Sequence, residues 1–104
     1  MITTSAHTFV LESASQKTYD GASIVCEPVY SELTATFGVT LHVLDTVSTN
    51  YIDRGYMSLT VAEVDAETGA GAGETAPWFN ALQKAVKTKL LTYTGNASVT
   101  FTVV

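Results

Sequence analysis

From Leu33 to Val43 the chain alternates without a break. Leu33, Ala35, Phe37, Val39, Leu41 and Val43 hold the odd positions, with Thr34, Thr36, Gly38, Thr40 and His42 between them. Strand side chains point to opposite faces with a period of two, so this pattern specifies one apolar face and one threonine-lined face. Its length is well beyond the roughly 5–6 residues of an average strand. The segment commits the chain to a β-rich domain with one sheet face turned to a core.

Shorter runs extend the pattern. His7 to Leu11 and Ala22 to Glu27 read as strands, separated by a polar loop and a Tyr19–Asp20–Gly21 turn in which Gly supplies positive φ. Pro28, with no N–H to donate, is expected to end the second of these, and Gly38 to mark a bulge or bend in the long strand. Thr46 to Gly55 reads as a polar connection, with a further strand in Val47 to Ile52 as an option. Tyr56 to Val64 reads as the next strand, with Met57, Leu59 and Val61 on one face. A slip in phase to Ala62 and Val64 points to a bulge or a change of neighbouring sheet.

A texture change follows. Residues 67–75 are rich in Gly and Ala, carry no packing groups, and are expected to form a flexible loop. Thr75 as N-cap and Pro77 in the first turn open an amphipathic helix over about 76–94, with Trp78, Phe79, Leu82, Val86, Leu90 and Tyr93 as its apolar stripe and Trp78 as a core anchor. Gly95 serves as its C′ glycine, and Val99, Phe101 and Val103 form one face of a last strand. The chain therefore reads as a single domain over 1–104 of α+β class, mostly β. The expected form is a small antiparallel β-sandwich or partly open barrel of five or six strands, with one helix before the last strand. One helix covers only part of a sheet face, so the remaining apolar area folds onto itself or is covered by another subunit.

Composition narrows the partners. Charged residues make up 14% of the chain, against about 25% in ordinary domains, and 17 Thr and 8 Ser fill the shortfall. So little charge gives weak protection against association, which points to a surface that something covers. The net charge of −5 argues against nucleic-acid binding, which needs a basic stripe, and no sequence-specific nucleic-acid binding is expected. No apolar stretch approaches a membrane span, and Met1 to Ala6 do not read as a signal peptide, so a protein made in a cytoplasm and free of membranes is expected. The Asn96–Ala97–Ser98 sequon reads as chance in that setting. Cys26 has no partner for an internal disulfide and reads as a small buried hydrophobe.

Candidate chemistry is sparse. Cys26 and His42 carry no spacing or elbow motif of a nucleophile–base pair, and no cofactor, metal or catalytic residue is expected. The glycines at 69, 71 and 73 do not complete a G-x-G-x-x-G fingerprint, because Glu74 takes the last position. Glu63, Asp65 and Glu67 alternate and would share one face of a continuing strand, as an acidic rim or a Ca²⁺ cluster. Lys84, Lys87 and Lys89 lie on a helix without acids, which leaves −8 on the rest of the chain, where only Lys17 and Arg54 oppose ten acids. A basic helix on one copy meeting an acidic rim on the next would build a ring or lattice. Thr34, Thr36, Thr40 and His42 on the polar face of the long strand complete that expected interface, while Tyr51 and Tyr56 are the candidate stacking pair for a carbohydrate or host surface.

In outline, a small β-sandwich with one packed helix resembles the tail-tube, head–tail joining and capsid-decoration subunits of tailed bacteriophages. The likeness is one of architecture over the whole chain, without a shared motif. It implies a non-enzymatic virion protein that binds copies of itself and other virion proteins, with a carbohydrate-binding or host-surface module as the alternative.

Overall fold

Ala22–Ser31 and Thr36–Asp45 form a ten-row antiparallel ladder closed by a four-residue turn, Glu32 to Ala35. The computed structural model of the chain describes residues 1–5, 8–12, 15–18, 22–45, 50–67 and 77–104. Its elements in order are β1 (Ile2–Thr4), β2 (Thr8–Glu12), β3 (Ser15–Thr18), β4 (Ala22–Ser31), β5 (Thr36–Asp45), β6 (Tyr51–Thr60), α1 (Val61–Asp65), α2 (Pro77–Leu91) and β7 (Phe101–Val103). The expected turn at residues 19–21, most of the 67–75 loop, Thr75 and His7 lie outside the described residues.

Five strands make one open antiparallel sheet in the order β6-β5-β4-β1-β7, and β2 pairs with β3 in a separate hairpin. The fold is thus a mostly-β α+β fold. Its second layer is α2 with the β2–β3 hairpin, both packed on the same face of the sheet. The chain reaches β7 from β6 by running α2 across that inner face, from one sheet edge to the other. Val39, Leu41 and Val43 of β5, Ile24 and Cys26 of β4, Met57 and Leu59 of β6, and Ile2 and Phe101 at the far edge are all buried there. They meet Leu82, Val86 and Leu90 of α2 in one core, to which Phe9 of β2 adds an edge-to-face contact with Phe101 at 5.9 Å.

Several local expectations are corrected. Leu33 and Ala35 belong to the β4–β5 turn rather than to the strand: Leu33 is 95% exposed, and Ala35 takes φ 51°. Pro28 does not end β4 but sits within it, opposite Val39. The tolerance has a clear source, because on β4's other side β1 reaches only Ser23 and Ile24, which leaves the edge beside Pro28 without a partner strand among the described residues. Gly38 lies in regular register between Val29 and Ser58. The irregularity falls instead in β6, where Ile52 is the extra residue between the pairs Val43–Asp53 and Leu44–Tyr51. Gly38 is small because a Cβ there would sit 2.5 Å from the Tyr56 hydroxyl.

Within the expected connection Thr46 to Gly55, the part from Tyr51 onward is strand, since β6 begins there, while residues 46–49, with the first half of the optional strand at 47–52, lie outside the described residues. Gly55 is no turn glycine: a Cβ on it would lie 2.8 Å from Cβ of Leu11, so its absence lets β2 approach the sheet closely. Beyond Thr60 the strand stops. Thr60 caps α1 through a reciprocal capping box in which Glu63 N donates to Thr60 Oγ1 at 3.1 Å and Thr60 N donates to Glu63 Oε1 at 2.9 Å. That helical turn explains the phase slip at Ala62 and Val64.

Helix α2 starts at Pro77, where the missing N–H costs nothing, and ends at Leu91, ahead of the predicted end. Gly95 takes its positive φ of 98° in the turn that follows. That turn delivers Asn96 into the core, fully buried. Its side-chain nitrogen donates to Val10 O at 2.8 Å and Leu90 O at 2.7 Å, and its oxygen accepts from Val10 N at 2.7 Å. One amide thus satisfies a buried edge of β2 and closes the end of α2, tying the hairpin to the helix. The same bonds and burial occupy the Asn96 sequon.

Candidate functional site

The sheet divides the chemistry-bearing residues between its two faces. Cys26 pairs with Leu41 on the inner face and is buried, and burial pushes its thiol up to about 11. His42, one position on in β5, points to the outer face. A nucleophile–base pair between them is excluded by the sheet itself. Among the described residues, no group of three His, Cys, Asp or Glu side chains gathers to hold a metal ion, and no helix is long and apolar enough to cross a membrane.

On the outer face, His42 stacks on Tyr51 with centroids 4.5 Å apart and planes 16° from parallel. Its Nε2 lies 3.0 Å from Glu27 Oε2 but makes no hydrogen bond to it. Thr36 and Thr40 share this face, as expected. Thr34 does not, because it lies in the turn, where its hydroxyl is 2.7 Å from that of Thr36. Tyr51 and Tyr56 are both half exposed but do not form a joint platform. They pair with Leu44 and Thr40 respectively, four ladder rows apart, or roughly 13 Å at the usual rise per residue. Along this face β4, β5 and β6 present Ser, Thr, Val and Tyr, with Val29 73% and Tyr56 56% exposed. Glu27 and Arg54 are its only fully charged side chains in those strands.

The expected acidic rim is dispersed by α1. Glu63 turns back to its capping box, whose Thr60 amide holds the carboxyl below its ordinary value of 4.5, helped by the charge of Lys89. Glu67 accepts from the Thr88 hydroxyl at 3.4 Å. Lys89 donates to Ser58 O at 2.6 Å and stands 4.0 Å from Glu63 Oε2. Helix cation and acid therefore meet within one chain, in an exposed pair of small energetic weight. Lys84 and Lys87 line a shallow depression with Glu67 and Thr88.

Asp65 goes elsewhere. It lines a groove of about 420 Å³ together with Tyr30, Phe37, Val61, Val64 and Trp78. Three elements meet there: the turn end of the β4–β5 hairpin, α1, and the first turn of α2. The backbone bond from Val61 N to Ala35 O at 3.4 Å joins the first two. Tyr30 and Phe37 are register partners with ring centroids 5.0 Å apart, and Trp78 stands 5.8 Å from Phe37 and 5.9 Å from Phe79. Trp78 is 53% exposed, so the core anchor expected at this position is instead a groove wall. Sequence reasoning did not find this group. Only the pairing of Tyr30 with Phe37 brings it together, and that depends on where the hairpin turns.

Comparison with models of protein families, with curated proteins and with solved structures finds no match to this chain.

Proposed function

We propose that the chain is a non-enzymatic assembly subunit that binds further copies of itself through the outer face of its sheet. The setting we propose is the virion of a tailed bacteriophage, as a tail-tube, head–tail joining or capsid-decoration component in contact with other virion proteins. One observation carries the reading: among the described residues, a broad sheet face stands without a second layer and is nearly free of charge. Exposed apolar area of that kind marks an interaction surface more often than a solvated one.

A second copy suits the face because its two charges, Glu27 and Arg54, are of opposite sign and can answer each other across a symmetric contact. Two sheets laid face to face would complete between chains the sandwich that the alternating pattern suggests within one. The ten residues of β6 form a sheet edge with no partner strand among the described residues, and backbone pairing along it would extend the contact into a ring or lattice. A carbohydrate-stacking role for Tyr51 and Tyr56 draws less support, because the rings lie four ladder rows apart and one is already stacked on His42.

The test is the mass in solution over a concentration series, by size-exclusion with light scattering at low and high salt. The expected result is a discrete oligomer that loosens only modestly with salt, since Lys89 and Glu63 are engaged within the chain. A monomer at every concentration and both salts overturns the reading.

A further inference from the structure

The groove between the β4–β5 hairpin, α1 and α2 has a composition that selects its ligand. Its walls are the rings of Tyr30, Phe37 and Trp78 and the aliphatic side chains of Val61 and Val64, and among the described residues Asp65 is its one ionisable group of full charge. Among the described residues, no lysine or arginine lines it. Aromatic faces carry negative potential and attract cations, most strongly for Trp. A carboxylate beside them adds to that attraction and disfavours anions.

The kind of cation follows from hydration. A primary ammonium is compact and strongly hydrated, and a mostly carbon-lined groove with one carboxylate offers too few acceptors to replace its water. An alkylated ammonium has no such debt and presents methyl groups that pack on ring faces. We infer that this groove binds a quaternary ammonium group of the choline type, set against Trp78 and Tyr30 and neutralised by Asp65. The volume of about 420 Å³ is in the range of small-ligand sites and larger than the cationic head alone requires. This inference does not rest on self-association and stands if the chain is a monomer.

Trp78 is the only tryptophan of the chain, so its fluorescence reports the groove directly. The experiment titrates the full chain with tetramethylammonium and choline. Alongside them it uses 3,3-dimethylbutan-1-ol, the neutral isostere of choline, and N-acetylglucosamine as a saccharide. The inference expects saturable quenching by both cations, with the neutral isostere about tenfold weaker or worse. Asp65→Asn removes the charge and Tyr30→Leu keeps apolar area while removing a ring face. Each is expected to weaken choline binding by about tenfold or more while the far-UV spectrum stays that of the wild type. Equal binding of the isostere, preferential binding of the saccharide, or no saturable change with either cation overturns it.

Discussion

The two faces of the sheet are made by the same three long strands yet obey different rules. On the inner face, Val39, Leu41 and Leu59 are fully buried in one core with residues of α2 and β2. On the outer face, one residue away along each strand, Val29, Tyr56 and Ser58 stand in the open. The glycines make the contrast concrete. Gly55 on the inner face is pressed against Leu11, the base of a side chain from another element, whereas Gly38 on the outer face is covered only by the hydroxyl end of Tyr56. Packing density therefore governs one face, and the other is free to serve a contact that the monomer does not need.

The largest test of that contrast compares Leu82→Ala with Val29→Lys. Leu82 is fully buried at the centre of α2's contact with the sheet, and its truncation is expected to cost about 2–5 kcal/mol in denaturant unfolding. Val29→Lys should change the monomer's stability by less than about 0.5 kcal/mol, as exposed sites do. A comparable loss in the two variants breaks the distinction between the faces. A finer test uses the glycines. Gly55→Ala is expected to cost about 1–3 kcal/mol by overpacking against Leu11, whereas Gly38→Ala costs under about 0.5 kcal/mol because the Tyr56 ring can swing outward. Equal costs would mean that Tyr56 is as fixed as Leu11.

The smallest effect lies at the rim between the faces, where Glu63 closes the capping box. Its pKa is depressed in the folded state, so its contribution is full above the ordinary value of 4.5 and is lost as pH falls through the lower folded value. Glu63→Gln keeps an acceptor for the Thr60 amide but removes the titration. The stability difference between wild type and this variant is expected to be constant near neutral pH and to shrink below about 4.5. A difference that grows with acid contradicts the assignment.

How far the sequence revealed this molecule depended on the scale of the signal. The alternation from Phe37 to Val43 gave the correct faces of β5, because period two is a property of the backbone itself. It misplaced Leu33 and Ala35, because the hairpin turns there without glycine, proline or asparagine, and Ala35 adopts the left-handed conformation instead. Helix α1 was legible in principle, since Thr60 and Glu63 have capping-box spacing, but Val61 prolonged the strand pattern and masked it. Gly55 was placed at the end of a polar connection, whereas it is a strand residue that allows the close approach of Leu11 from a distant segment. The aromatic groove and the Asn96 clamp left no local trace at all. Each needs a partner more than forty residues away, Trp78 for Tyr30 and Val10 for Asn96, beside its nearer ones.

The central claim is that the outer face is an interface built on a fold that is already complete without it. Its most direct test is the solution mass of the double variant Val29→Lys, Ser58→Lys beside the wild type, with unfolding of both followed at high dilution. The account predicts an oligomeric wild type, a monomeric variant and matching unfolding curves at dilution. An oligomer that survives both lysines, or a wild type that is itself a monomer, contradicts it.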